Sequence, residues 1–340
     1  MKLRFAHALA LGLASAALLH TLGQPSAADQ DGRAVLGERL FFDSTLSADA
    51  TISCASCHRP ELAFTDAQPR SLGVAGRQGT RNAPSLLGVA RVPRLNWDGR
   101  SVSLEEQVVQ PFVTETEHGL PSNEALVERV LARAEYRALF ETAFGGDAWP
   151  PRVDQIAAAL AAYLHSLEPQ HRNASPAPVP DNAARGQALF FGSAGCAQCH
   201  PRDDTGTPGT DHRYHAIGVG LGTLGPGLGA AIEAVEKATP GELNALVLSE
   251  PAVSQLGRYV VTRNLEDIGR FRTPSLRNVA ITAPYFHDGS VATLEAAVER
   301  EIYYRREARA ALPALSREDR DDLVAYLKTV FEKRTASARQ

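Results

Sequence analysis

Two short stretches decide how this chain folds: Cys54-Ala55-Ser56-Cys57-His58 and Cys196-Ala197-Gln198-Cys199-His200. They hold all 4 cysteines of the 340 residues, at one spacing, and histidine follows each pair at once. C-x-x-C-H is the attachment signature of c-type haem. Two thiols add to the two vinyl groups of one porphyrin, and the adjacent imidazole reaches the iron. The cysteines alone also admit structural disulfides in an exported protein, a four-cysteine zinc site or a redox dithiol. None of these requires histidine behind both pairs, and the redox dithiol lacks its βαβ context. With 10 His in the chain, chance puts His behind one such pair about 3% of the time and behind both roughly once in a thousand. The sequence therefore predicts two covalently bound haems, on Cys54, Cys57 and on Cys196, Cys199, with His58 and His200 as proximal iron ligands.

Outward from these sites the chain repeats itself. Gly37-Glu38-Arg39-Leu40-Phe41-Phe42 precedes the first, and Gly186-Gln187-Ala188-Leu189-Phe190-Phe191 precedes the second. Pro84-Ser85-Leu86 answers to Pro274-Ser275-Leu276, and Asp98-Gly99 with Leu104-Glu105 answers to Asp288-Gly289 with Leu294-Glu295. In this register Trp97 corresponds to His287. Each half closes on one apolar stripe, Leu160, Tyr163, Leu164 and Leu167 against Leu323, Tyr326, Leu327 and Val330, at helical offsets. The predicted fold is mainly α, with two cytochrome c-like domains and long loops, each domain wrapping one haem near their interface. The expected domains are 29–167 and 182–340, joined by a Pro-rich linker at 168–181. Helices are expected near Asp31–Phe41, Ser103–Gln110, Ser122–Phe144, Asp154–Ser166, Leu294–Tyr304 and Ser316–Glu332. The Gly-rich segment 203–229 is expected to be loop.

Residues 1–28 read as a cleaved signal peptide: Lys2 and Arg4, a short apolar run, then Ser26-Ala27-Ala28 as a small-x-small cleavage site. Export to the periplasm follows as an expectation, with no membrane span after cleavage. The net charge of −4 gives no basic footprint, so nucleic acid is not an expected partner. The single Met is Met1, so the mature chain has no methionine.

Further motifs suggest a family. They are Arg81-Asn82-Ala83-Pro84-Ser85, Trp97-Asp98-Gly99-Arg100, Leu104-Glu105-Glu106-Gln107, Pro111 and Glu117, then Arg272-Thr273-Pro274-Ser275-Leu276-Arg277-Asn278 and Pro284-Tyr285-Phe286-His287-Asp288-Gly289. In these the chain resembles bacterial dihaem cytochrome c peroxidases and the related MauG (methylamine-utilisation) enzymes, over nearly the whole mature chain. The resemblance implies that hydrogen peroxide reacts at the first haem and that the second passes electrons. It places Gln107, Pro111 and Glu117 in the distal pocket of the first haem, and Trp97 between the haems. It also implies one Ca²⁺ at Asn82, Thr282 and Pro284. The implied partner is a small cytochrome c, a cupredoxin or a protein substrate.

Two departures bear on the branch. Where typical peroxidases carry a loop His that caps the first iron, this chain has Val74, which cannot ligate. His118, beside Glu117, is the other possible cap. Where they carry a Met on the second iron, this chain has Glu301. MauG-type enzymes use Tyr there, and Tyr303 or Tyr304 is the expected sixth ligand. Three activities are compatible with these features: MauG-like oxidation of a protein or small molecule, peroxide detoxification with reduced cytochrome c, and plain electron carriage.

Overall fold

The computed structural model describes residues 27–167, 179–203, 209–308 and 312–330. The expected signal peptide, except its last two residues, and most of the expected linker lie outside the described residues.

The first half contains α1 (Ala27–Phe42), α2 (Cys54–Cys57), α3 (Leu104–Val109), α4 (Asn123–Leu131), α5 (Glu135–Phe144) and α6 (Val153–Ser166). Helix α1 lies so close to α6 that a Cβ on Gly37 would stand 1.9 Å from the carbonyl oxygen of Ala159. Only glycine fits there. Phe41 then packs on Tyr163, with ring centroids 5.1 Å apart. Helix α3 starts on Ser103, whose hydroxyl accepts from the Glu106 N–H at 3.1 Å, a side-chain cap.

The stretch expected as one helix, Ser122–Phe144, is two. In α4 the buried positions are Leu126 and Val130, and in α5 they are Tyr136, Phe140 and Ala143. In one continuous helix Tyr136 would point about 240° round from Val130, off the apolar stripe. The break at 132–134 restores the phase. It also lets the buried Tyr136 hydroxyl donate to Asp43 Oδ2 at 2.7 Å.

The second half contains α7 (Asp181–Phe191), β1 (Tyr214–Ala216), α8 (Leu228–Lys237), α9 (Pro240–Ser249), α10 (Pro251–Ser254), α11 (Tyr259–Thr262), β2 (Arg270–Arg272), α12 (Leu294–Ala308) and α13 (Arg317–Leu327). Helices α7 and α13 repeat the pairing of α1 and α6. A Cβ on Gly186 would lie 1.9 Å from the Asp322 carbonyl oxygen, and Phe190 packs on Tyr326 at 5.5 Å. Helix α13 opens on a reciprocal cap: Asp319 N–H donates to Ser316 Oγ, and Ser316 N–H to Asp319 Oδ2.

Segment 203–229 is not all loop. Its Tyr214, His215 and Ala216 pair antiparallel with Arg272, Phe271 and Arg270. Between these two strands, α8 to α11 gather a third apolar cluster around Val235, Val247, Leu256 and Tyr259. This insert grips the first half. Thr80 donates to the Val247 carbonyl at 2.7 Å, Arg100 Nε to Asn244 Oδ1 at 2.8 Å, and Arg258 to the Asp98 carbonyl at 3.0 Å. Two cytochrome c-like domains are thus locked face to face.

Candidate haem centres and peroxide site

One cavity of about 540 Å³ runs between the halves, and both Cys-x-x-Cys-His segments open onto it. No disulfide joins any of the four cysteines. Burial, with neighbouring negative charge adding to it, pushes the Cys54 and Cys57 thiols up to about 12. A redox dithiol needs the opposite shift.

The two histidines are held alike. His58 Nδ1 lies 3.0 Å from the Phe64 carbonyl oxygen, and His200 Nδ1 lies 3.1 Å from that of Gly209. A carbonyl accepts only, so each Nδ1 carries the proton and donates. Each Nε2 lone pair is left for a metal. Burial lowers the pKa of His58 and takes His200 down to about 4, which keeps both rings neutral, the form that ligates.

The cavity fits a haem pair in its other walls too. Phe41, Leu86, Leu160 and Leu164 give the first half an apolar lining, and Phe190, Leu323 and Leu327 do so in the second. Arg81 also lines it. This side chain is 8% exposed, and one nitrogen pairs with the fully buried Asp98 at 3.2 Å. Its Nε and Nη1 have no partner within the protein. A buried guanidinium with two unmet donors facing such a cavity suits the propionates of a haem. Sequence reading quoted Arg81 in a motif and gave it no role; its polar neighbours Thr80 and Asn82 gave no sign of its burial.

Gln107, Pro111 and Glu117 all line the cavity onto which Cys57 and His58 open. Gln107 Oε1 accepts from Asn96 Nδ2 at 2.6 Å and from Ser101 Oγ at 2.7 Å. Its amide NH₂ remains for donation into the cavity. Burial raises the Glu117 pKa, against the opposing pull of Arg100 and a hydrogen bond from Thr114. Val74 is buried, and its N–H donates to the Glu117 carbonyl at 2.9 Å. It offers no ligand atom. His118 does not line the cavity. Its ring packs on Phe112, with centroids 4.6 Å apart.

Trp97 is 9% exposed and lines the same cavity. Its indole N–H donates to the Asn82 carbonyl at 2.9 Å, and its own carbonyl accepts from the Arg272 N–H of the second half at 2.8 Å. Phe271, next to Arg272, stacks on His287 at 3.5 Å, and the Arg81 guanidinium lies over its ring, 5.0 Å from the centroid. The sequence matched His287 to Trp97 but did not foresee Phe271, because the pairing of β2 with β1 is non-local. Asn82, Thr282 and Pro284 also meet on this cavity. Asn82 Nδ2 donates to the Gln68 carbonyl at 2.9 Å, so its Oδ1 is the atom left for a cation.

The two tyrosines expected as ligands, Tyr303 and Tyr304, both lie on α12. Tyr303 is 59% exposed. Tyr304 packs its ring over Gly218. Neither lines the cavity, whereas Glu301 and Ile302 do. From Leu294, which faces the cavity, Tyr303 and Tyr304 lie about 180° and 80° round the helix, and Glu301 only about 20°.

Comparison with known proteins agrees with this geometry. Residues 31–176 match the family model for di-haem cytochrome c peroxidase, and residues 183–331 match that for cytochrome c. The methylamine utilization protein MauG of Methylorubrum extorquens is 34% identical over 311 residues, 88% of this chain and 78% of its own length. The cytochrome c551 peroxidase of Nitrosomonas europaea is 33% identical, covering 87% of this chain and 79% of its own. Among solved structures, a MauG-like protein associated with microbial copper homeostasis superposes with a TM-score of 0.68, at 30% identity, over 89% of this chain and 90% of that one. The dihaem peroxidase BthA of Burkholderia thailandensis gives 0.67, at 27% identity, over 91% and 87%. Two cysteine–histidine haem sites on one cavity, in two cytochrome c-like halves, thus place this enzyme, with its two c-type haems, in the dihaem cytochrome c peroxidase and MauG family.

Proposed function

We propose that the protein is an exported, MauG-like oxidoreductase that reduces hydrogen peroxide at the haem of His58 and oxidises a partner through the haem of His200. The observation that carries this reading is the grouping of Glu117 and Gln107 on the cavity beside His58, with Val74 in place of a capping ligand. A sealed electron carrier has no use for a proton-transfer group there. The lack of any mature methionine favours the MauG-like branch over a donor-coupled peroxidase, because Met raises a haem's potential.

The haem supplies the iron at which peroxide is reduced. Glu117 takes the proton from the near oxygen of peroxide and returns it to the far one, so that the departing oxygen leaves as water. Burial makes this carboxylate a stronger base than an exposed one. Gln107, held from behind by Asn96 and Ser101, would donate its NH₂ to peroxide. Pro111 and the neighbouring apolar side chains keep bulk water out. Trp97, fixed at both its indole N–H and its carbonyl, is the stepping stone for electrons between the halves. A redox partner, a small cytochrome c, a cupredoxin or a protein substrate, supplies those electrons. One Ca²⁺, held by Asn82, Thr282 and Pro284 with water, stiffens the interface. No helix among the described residues is long and apolar enough to cross a membrane.

The test is Glu117→Gln. Both haems should stay attached while the reaction with peroxide slows about 10²–10⁴-fold. Unchanged peroxide kinetics in stopped flow would remove Glu117 from the mechanism. Fast steady-state turnover with reduced cytochrome c would instead favour peroxide detoxification.

A further inference from the structure

We propose that Asn244 of α9, in the second half, is a positioning residue for the reaction at the first haem: it holds Arg100 and Thr114 in place around Glu117. The inference rests on the role proposed for Glu117 above and names what sets that carboxylate's surroundings.

Asn244 reaches the site through its place on α9. It shares one helical face with Val247 and Leu248, three and four positions on, and that face meets the first half. The Val247 carbonyl accepts from Thr80, and Leu248 lines the cavity. Asn244 itself does not line it, so it acts through its two partners. Its amide spans them. Oδ1 accepts from Arg100 Nε at 2.8 Å, and Nδ2 donates to Thr114 Oγ1 at 3.3 Å. A guanidinium only donates, which fixes the amide's orientation and turns its NH₂ to Thr114.

Each partner bears on Glu117. Arg100 lines the cavity with Glu117, and its side chain is 9% exposed. Its Nη1 lies 3.1 and 2.9 Å from the two carboxylate oxygens of Asp98, so Asp98 and Asn244 hold the guanidinium through two of its nitrogens. Its positive charge opposes the effect of burial on Glu117 and favours the ionised carboxylate, the form that takes a proton. Thr114 is buried, and its carbonyl accepts from the N–H groups of Glu117 at 3.0 Å and Gly119 at 2.9 Å. It therefore carries the turn on which Glu117 stands. Its hydroxyl accepts from Asn244, which leaves its own proton for the Gln110 carbonyl at 2.8 Å or for the Glu117 carboxylate. Without Asn244, Arg100 Nε and Thr114 Oγ1 each lose a partner, and both can shift against Glu117. A small misplacement of a proton-transfer group costs rate steeply. The second half thus completes the setting of the carboxylate that serves the first haem.

The experiment uses the full protein with both haems attached and follows its reaction with hydrogen peroxide by stopped flow. Asn244→Leu keeps the size of the side chain and removes both bonds; it should slow the reaction about 10-fold. Asn244→Asp keeps an oxygen for Arg100 and should recover part of that loss. Thr80→Val deletes another hydrogen bond between α9 and the first half, one that involves neither Arg100 nor Thr114, and should react as the wild type does. In a Glu117→Gln background, Asn244→Leu should have no further effect. Four results overturn the proposal: a wild-type rate in Asn244→Leu, an Asn244→Asp as slow as Asn244→Leu, a Thr80→Val as slow as Asn244→Leu, or the same loss from Asn244→Leu with and without Glu117. Any of these beside a slowed Glu117→Gln leaves the proposed function standing, whereas an unslowed Glu117→Gln removes both.

Discussion

The two helix crossings that frame the haem cavity make a quantitative test. Gly37→Ala and Gly186→Ala each place a methyl carbon 1.9 Å from a backbone carbonyl oxygen. Carbon and carbonyl oxygen rest at about 3.3 Å, so each helix pair must part by more than ~1 Å. Neither obstacle is a flexible side chain, since the carbonyls of Ala159 and Asp322 lie inside helices. Overpacking of this kind costs about 3 kcal/mol. The better helix propensity of alanine returns about 1 kcal/mol. A net loss of about 2 kcal/mol lowers Tm by roughly 4–8 °C in domains of this size. Parting α1 from α6 moves Phe41, Leu160 and Leu164, and parting α7 from α13 moves Phe190, Leu323 and Leu327, all of which line the cavity. Each variant should therefore perturb the absorption of its own haem and leave the other alone. Gly146→Ala is the control, because a Cβ there meets nothing within 4 Å. Calorimetry with visible spectra reads both effects. If Gly37→Ala and Gly186→Ala melt with Gly146→Ala, the close-crossing account is refuted.

Other expectations follow from the site. If Glu117 is the base we propose, then, because burial raises its pKa, the peroxide rate should fall as pH drops through that raised value and level off above it. In Glu117→Gln this inflection should vanish; its persistence assigns it to another group. His118 is 3% exposed, both ring nitrogens lack partners, and burial takes its pKa down to about 4. His118→Phe should thus keep or raise Tm and leave the first haem's spectrum as in the wild type; a new open coordination site in that variant means that His118 is a cap. If the proposed Ca²⁺ is held at Asn82, chelation should slow electron sharing between the haems in the wild type and have no further effect in Asn82→Ala, whereas equal sensitivity of both excludes Asn82 as a ligand.

The haem sites were legible because covalent attachment fixes spacing and residue type in one short segment. The repeated Gly-x-x-x-Phe-Phe was visible, but the helix that carries its second copy, Asp181–Phe191, and the close pairing of each copy with a closing helix were not, because the glycine's role depends on a partner about 130 residues away. Glu117 and Gln107 could be named from motifs, but their shared cavity depends on where the turn after α3 falls. The insert was not legible. Helices as short as Pro251–Ser254 and Tyr259–Thr262 carry no periodic signal, and β1 finds its partner only after the whole insert has intervened. Tyr303 and Tyr304 were named from the family resemblance, which carries no helical phase; counted from Leu294, both fall to the side of the cavity face.

The central claim is that peroxide enters an uncapped first haem and that both haems share the oxidation. EPR of the as-isolated diferric protein, before and after one equivalent of hydrogen peroxide, tests it most directly. The account predicts that the ferric signals of both haems diminish together with no prior reduction. A sample in which peroxide does nothing until one electron is added would contradict it.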